Sequence, residues 1–108
     1  MSENHENHVL ELVTFKLNPG STEDAFAAAN ESLAGWLRKQ PGFVSRQLSF
    51  NEADETYIDV VYWESRAAVE LADQASMTAE ECVPLFSMCN IETVKMVHAD
   101  PVVSVVAV

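Results

Sequence analysis

The sequence predicts an α+β domain: a sandwich of order βαββαβ, with a four-stranded antiparallel sheet carrying its helices on one face. Three observations predict it. Four short runs are rich in β-branched and large apolar residues. Two segments between them space their apolar residues as an amphipathic helix does. Gly, Pro and Asn cluster at the joins, where a chain that reverses direction needs them. The length of 108 residues suits one hydrophobic core, and 48% hydrophobic with 21% charged residues is the composition of a globular chain.

Residues 1–7 are polar and are expected to form a disordered tail, because nothing in them ties a terminus down. The domain is expected over residues 8–100. Its first strand is the run HVLELVTFKL at 8–17, which is β-prone and short for a buried helix. Asn18-Pro19-Gly20 breaks that strand, and Ser21 followed by Asp24 resembles a capping box with the shorter acid in place of Glu. A helix should start there. Phe26, Ala29, Leu33, Trp36 and Leu37 share one face of it, Arg38 and Lys39 suit the negative end of its dipole, and Pro41-Gly42 closes it. Residues 43–50 and 56–64 alternate as strands around the polar turn at 51–54, so they should pair as a hairpin. Ser65 can cap a second helix reaching about Ala75, with Ala68, Leu71, Ala72 and Ala75 as its apolar stripe. Thr78 with Glu81 signals a further turn that Pro84 should bend or end, so the second helical region is expected to be broken. Residues 91–98 form the fourth strand, and 101–108 are an apolar, β-prone tail.

This order is the ferredoxin-like split βαβ arrangement. Along the first strand, Val9, Glu11, Val13, Phe15 and Leu17 alternate with Leu10, Leu12, Thr14 and Lys16, and neither set is the polar face that a sheet open to water presents. A second copy of the chain is therefore expected against the sheet. The valines of the tail point the same way, since an exposed apolar strand is an aggregation hazard that pairing with a partner removes. With 17 acidic against 6 basic residues, a net charge of -11 disfavours nucleic acid and anionic membrane surfaces as partners. No apolar run reaches about 18 residues and the start is neither cationic nor apolar, so a cytoplasmic location is expected. Cys82 and Cys89 match neither a disulfide framework nor a four-ligand zinc pattern and are read as buried thiols. The sequence holds no glycine-rich phosphate loop, dinucleotide fingerprint, nucleophile elbow or paired metal motif, so no cofactor and no metal are expected.

Gln40-Pro41-Gly42-Phe43 after the first helix, Tyr62-Trp63-Glu64-Ser65 at the end of the hairpin and Ala67-Ala68 opening the next helix resemble the antibiotic biosynthesis monooxygenase family of the dimeric α/β-barrel superfamily. The resemblance spans about residues 8–99. It implies a homodimer whose two sheets face each other as a barrel, with a pocket between sheet and helices in each protomer. Activities on this fold include cofactor-independent oxygenation of polyketide-type aromatics, haem degradation and isomerisation. For haem degradation the needed residues are missing: Val13 stands where that branch has a functional Asn, Ala72 where it has a Trp, and Cys82 near its iron-ligating His.

An oxygenase without metal or flavin must bind an electron-rich phenol or enol, remove its proton and keep water away from the resulting anion. It needs a base and polar anchors in an apolar pocket. The third strand puts Tyr57, Asp59, Val61 and Trp63 on one face. Asp59, flanked by Ile58, Val60 and Val61, is the candidate base, with an ion pair to Arg46 or Lys16 as the structural alternative. His98 is the candidate proton shuttle, with a solvated strand-end imidazole as its alternative. Glu11 among Leu10, Leu12 and Val13, together with Phe15, Tyr57 and Trp63 as ring contacts and Arg46 as anchor for an anionic group, completes the expected substrate site. The expected ligand is a small apolar or aromatic molecule. Two other readings remain: a non-enzymatic dimeric binding or stress-associated protein whose pocket is filled by Phe15, Trp63 and Met96, and a lactone or enol isomerase with one base and no use for dioxygen.

Overall fold

All four strand-like runs form strands, and all their pairings are antiparallel: β1 (Val9–Phe15), β2 (Phe43–Asn51), β3 (Thr56–Trp63) and β4 (Lys95–Ala99), in the order β2-β3-β1-β4. With α1 (Glu23–Arg38), α2 (Arg66–Ser76) and α3 (Val83–Met88), this is the expected ferredoxin-like α+β fold. The computed structural model describes residues 8–108; the polar start at 1–7, expected to be disordered, lies outside them. The sheet is open, with β2 and β4 as its edges.

The strand register sorts side chains into two faces. Val9, Glu11, Val13 and Phe15 of β1 stand beside Trp63, Val61, Asp59 and Tyr57 of β3 on the helix side. There Val9, Val61 and Trp63 pack with Ala29, Leu33, Trp36 and Leu37 of α1, Val69 and Ala72 of α2, and Leu85 of α3. The other face carries Leu10, Leu12, Ile58, Val60 and Val97. No helix among the described residues covers it, and Val97 is exposed.

Local chemistry places the helix ends. The α1 cap is Thr22, one residue later than the expected Ser21: Thr22 Oγ1 accepts from the Ala25 N–H at 3.1 Å, while Ser21 Oγ donates to the Asn18 carbonyl at 2.9 Å and is spent in the turn. Ser65 caps α2 as expected, accepting from the Ala68 N–H at 3.1 Å. The buried stripe of α2 is Ala68, Val69 and Ala72, whereas Leu71 is 62% exposed. Val69, fully buried, takes the inward position expected of Leu71. The second helical region is broken, but Pro84 starts a helix instead of ending one. It lies in the first turn of α3, where a missing N–H costs nothing. Thr78 does not cap; the short turn Glu80–Cys82 begins at Ala79 without a side-chain bond.

Two strands are shorter than expected. β1 stops at Phe15 because the Lys16 N–H turns to Thr93 Oγ1 at 2.9 Å, leaving Leu17 only an isolated bridge to Cys89. Ile91–Thr93 is a turn and not the start of β4, since Asn90 Oδ1 accepts from the Glu92 N–H at 3.1 Å and tightens it. Residues 101–108 have no regular structure, and Val102, Val103, Val105, Val106 and Val108 are exposed. No helix among the described residues is long and apolar enough to cross a membrane.

Candidate functional site

Between the helix side of the sheet and the three helices lies a cavity of about 490 Å³. Leu33, Trp36, Val61, Trp63 and Leu85 give it apolar walls, and Glu11, Arg46, Asp59, Asp73 and the half-buried thiol of Cys89 break them. Apolar side chains at its mouth, among them Met77, Phe86, Ile91 and Met96, are exposed. Cavities of this size, mostly apolar with few polar groups, are where small molecules bind.

Two polar groups of different character face this space. The first is an ion pair across the β2–β3 ladder. Arg46 Nε donates to Asp59 Oδ1 at 2.9 Å and Nη2 donates to Oδ2 at 2.8 Å, the two-pronged contact that suits a planar guanidinium. Nη2 also donates to Asn30 Oδ1 at 2.9 Å, and Asn30 is fixed in turn by donating to the Phe26 carbonyl at 2.9 Å. Both partners of the pair are nearly buried, at 12% and 10% side-chain exposure.

The second group is built around Glu11. Across the β1–β4 ladder Glu11 faces His98, and His98 Nε2 lies 3.3 Å from Glu11 Oε2 and 3.2 Å from Asp73 Oδ2. Trp63 Nε1, from β3, donates to Glu11 Oε1 at 3.2 Å. Burial pushes the Glu11 carboxyl up to about 8, and the hydrogen bond and charge of Asp73 add to the rise. The Trp63 bond opposes it and the Asp59 charge supports it. An acid that keeps its proton to near neutrality inside an apolar cavity can give or take a proton where catalysis needs one.

The structure thus brings together Glu11, Trp63 and His98, and separately Arg46 and Asp59. Asp59 is not a lone carboxylate; it has the ion-pair partner that was its structural alternative. Phe15 is buried, lines the cavity, and stacks on Tyr57 with centroids 5.4 Å apart. Tyr57 sits in an aromatic cluster with Phe15, Phe26 and Phe50 and opens on a neighbouring concavity beside Lys16. Sequence reasoning missed Asp73 and Asn30. Asp73 had a readable signal: it stands four residues after buried Val69, at an inward position of α2.

Glu11, Asp73 and His98 are also the one group of three among the described residues whose donor atoms, all within 4.8 Å, could meet a metal ion. Cys82 offers the cavity nothing, being fully buried with its thiol pushed up to about 11 by that burial. Of the positions compared with the haem-degrading branch, Val13 and Ala72 line the cavity and supply no ligand.

The model of the family described as antibiotic biosynthesis monooxygenase matches residues 9–77. The fold is similar to that of a monooxygenase from the ActVA-Orf6 gene of Streptomyces coelicolor, solved in complex with nanaomycin D, at 22% identity over 95% of each chain and a TM-score of 0.72. It is similar to SnoaB, a cofactor-independent oxygenase from Streptomyces nogalater, at 18% identity over 86% of this chain and 89% of that one, with a TM-score of 0.59. A dimeric ferredoxin-like protein of unknown function from Jannaschia sp. CCS1 matches at 15% identity over 87% of this chain and 99% of that one, with a TM-score of 0.66. No curated protein sequence matches the chain. At these identities the likeness to solved structures establishes the fold.

Proposed function

Because the chain belongs to the antibiotic biosynthesis monooxygenase family, we propose that it binds a small aromatic or polyketide-like molecule in its cavity and oxygenates it with dioxygen, without a bound cofactor or metal. The observation that carries this reading is Glu11: a buried carboxyl, pushed up to about 8, in the wall of an apolar cavity of about 490 Å³. It takes the role of base that the sequence suggested for Asp59, which is held by Arg46. A phenol lying along the Trp63 wall gives its proton to the Glu11 carboxylate. The ring carbon of the phenolate then forms a bond to dioxygen, and the O–O bond breaks with loss of water to leave a quinone. One oxygen atom stays on the ring, the other leaves as water, and the electrons that reduce dioxygen come from the ring. Asp73 and His98, less buried than Glu11, pass the proton outward.

The working unit is a homodimer formed by residues 8–100 through the uncovered sheet face, with the tail at 101–108 contacting the partner. What supports it is the apolar set Leu10, Leu12, Ile58 and Val60 with no helix upon it, and the exposed valines of the tail. The Jannaschia relative is described as dimeric. A non-enzymatic protein with a filled pocket fits less well, since the space among Phe15, Trp63 and Met96 is open.

The test is oxygen uptake with dihydroxynaphthalene-type phenols. Wild type should consume dioxygen, Glu11→Gln should lower kcat by about a hundredfold or more, and prior dialysis against a chelator should change neither. Product without oxygen uptake would make the protein an isomerase using the same base. Binding and turnover both absent would overturn the reading, and loss of activity on chelation would turn Glu11, Asp73 and His98 into cation ligands.

A further inference from the structure

We infer that Asp59 is a charge filter: by occupying Arg46 it leaves the cavity without an available cation, so the ligand is an uncharged or amine-bearing aromatic and carboxylated analogues are refused. The inference deepens the proposed function and rests on that cavity being the ligand site.

Among the described residues Arg46 is the one guanidinium or ammonium side chain of the cavity wall, whose carboxyl groups are those of Glu11, Asp59 and Asp73. A guanidinium grips a carboxylate through two adjacent N–H groups, either Nε with Nη2 or Nη1 with Nη2. Both pairs lack a donor here. Nε and one Nη2 hydrogen are on Asp59, at 2.9 and 2.8 Å, and the second Nη2 hydrogen is on Asn30 at 2.9 Å. Asn30 is itself tied to the Phe26 carbonyl, so the arginine is held from two sides. A ligand carboxylate could claim Arg46 only by evicting Asp59, leaving a second carboxylate unpaired in a nearly dry site, where losing a partner is most costly. Elsewhere in the wall it would meet Glu11 and Asp73, with His98 already shared between them. The surrounding field adds to this, since the chain carries a net charge of -11. A neutral phenol pays none of these costs, and an amine finds carboxylates.

The experiment uses two ligands of one shape, hydroxynaphthamide and hydroxynaphthoate, titrated calorimetrically into the wild-type protein, with naphthylmethylamine as the cationic probe. Wild type should bind the amide and the amine, and the amide at least about tenfold more tightly than the carboxylate. In Asp59→Asn, which keeps the side-chain shape but frees Arg46, that ratio should fall at least about tenfold. The double variant Arg46→Gln/Asp59→Asn should not show this fall, since the gain needs the guanidinium. Equal binding of amide and carboxylate by wild type overturns the filter and leaves the cavity as a ligand site. Failure of every probe to bind overturns both readings. Should Asp59→Asn not fold, as judged by circular dichroism, the wild-type ratio alone decides.

Discussion

Burying Glu11 in the cavity wall penalises its charged form, and the carboxylate of Asp73 beside it adds to the penalty. Its carboxyl is held at about 8 in the folded chain against an ordinary value of 4.5, so between those limits the native state keeps a proton that the unfolded chain gives up. The stabilising contribution is therefore complete below the lower value and is lost as pH rises through the upper one. Wild type should lose thermal stability between about pH 5 and pH 9, and Glu11→Gln, which cannot ionise, should lose less. The gap at the alkaline end should be on the order of a few kcal/mol, read from melts of both proteins; parallel curves would mean Glu11 titrates as an ordinary surface acid. Under the proposed reaction the oxygenation rate should run the other way, growing with the carboxylate form of Glu11 as pH rises through about 8, which a pH profile of oxygen uptake would read. Glu11 and Asp59 were both visible in the sequence as acids inside apolar strands. An ion pair of Asp59 with Arg46 or Lys16 was visible too, but not that Arg46 would be the partner, because that depends on Arg46 standing diagonally across a ladder whose register no single strand encodes.

Secondary elements were legible wherever a local signal chose between alternatives. The five-residue stripe of α1 and the Ser65 cap of α2 needed nothing beyond their own segments. Leu71 and Val69 did not, because both fit a helical period and only the packing partner decides which is buried. The join between α1 and β2 shows how tight such packing is. Gly42 has φ +82°, and a Cβ built there would lie 2.5 Å from the Cβ of Ala68 in the first turn of α2. The Gly42 carbonyl also accepts from the Glu64 N–H at 2.8 Å, so the turn cannot move away freely. Gly42→Ala should destabilise the fold by about 1–3 kcal/mol in urea unfolding, through the strained backbone and the forced separation of the two elements. Gly42→Ala/Ala68→Gly should recover part of that loss, and no recovery would assign the whole effect to the backbone.

For the molecule as a whole, the uncovered sheet face and the valine tail make self-association the expected state. Sedimentation at micromolar concentration should find a species about twice the 11.9 kDa chain, and a monomer would remove the basis for a dimer. Truncation after Asp100 should weaken association, while unchanged association would place the tail outside the contact. The ion pair of Arg66 with Asp100, at 3.0 Å, is a surface pair of small worth and should not mask the result. The sequence showed that both sheet faces are apolar. It could not show which of them the helices would take, because that follows from the hand and order of the connections and not from the side chains.

One consequence of the strand order concerns the reach of assembly. Among the described residues β4 is an edge strand that pairs with β1 alone, yet it carries the histidine shared by the two cavity carboxyls. Any strand laid along its free edge would stiffen the segment that holds that imidazole. What pairs along the outer edge and how firmly the cavity wall holds its shape would then be set by one segment, because β4 belongs to both.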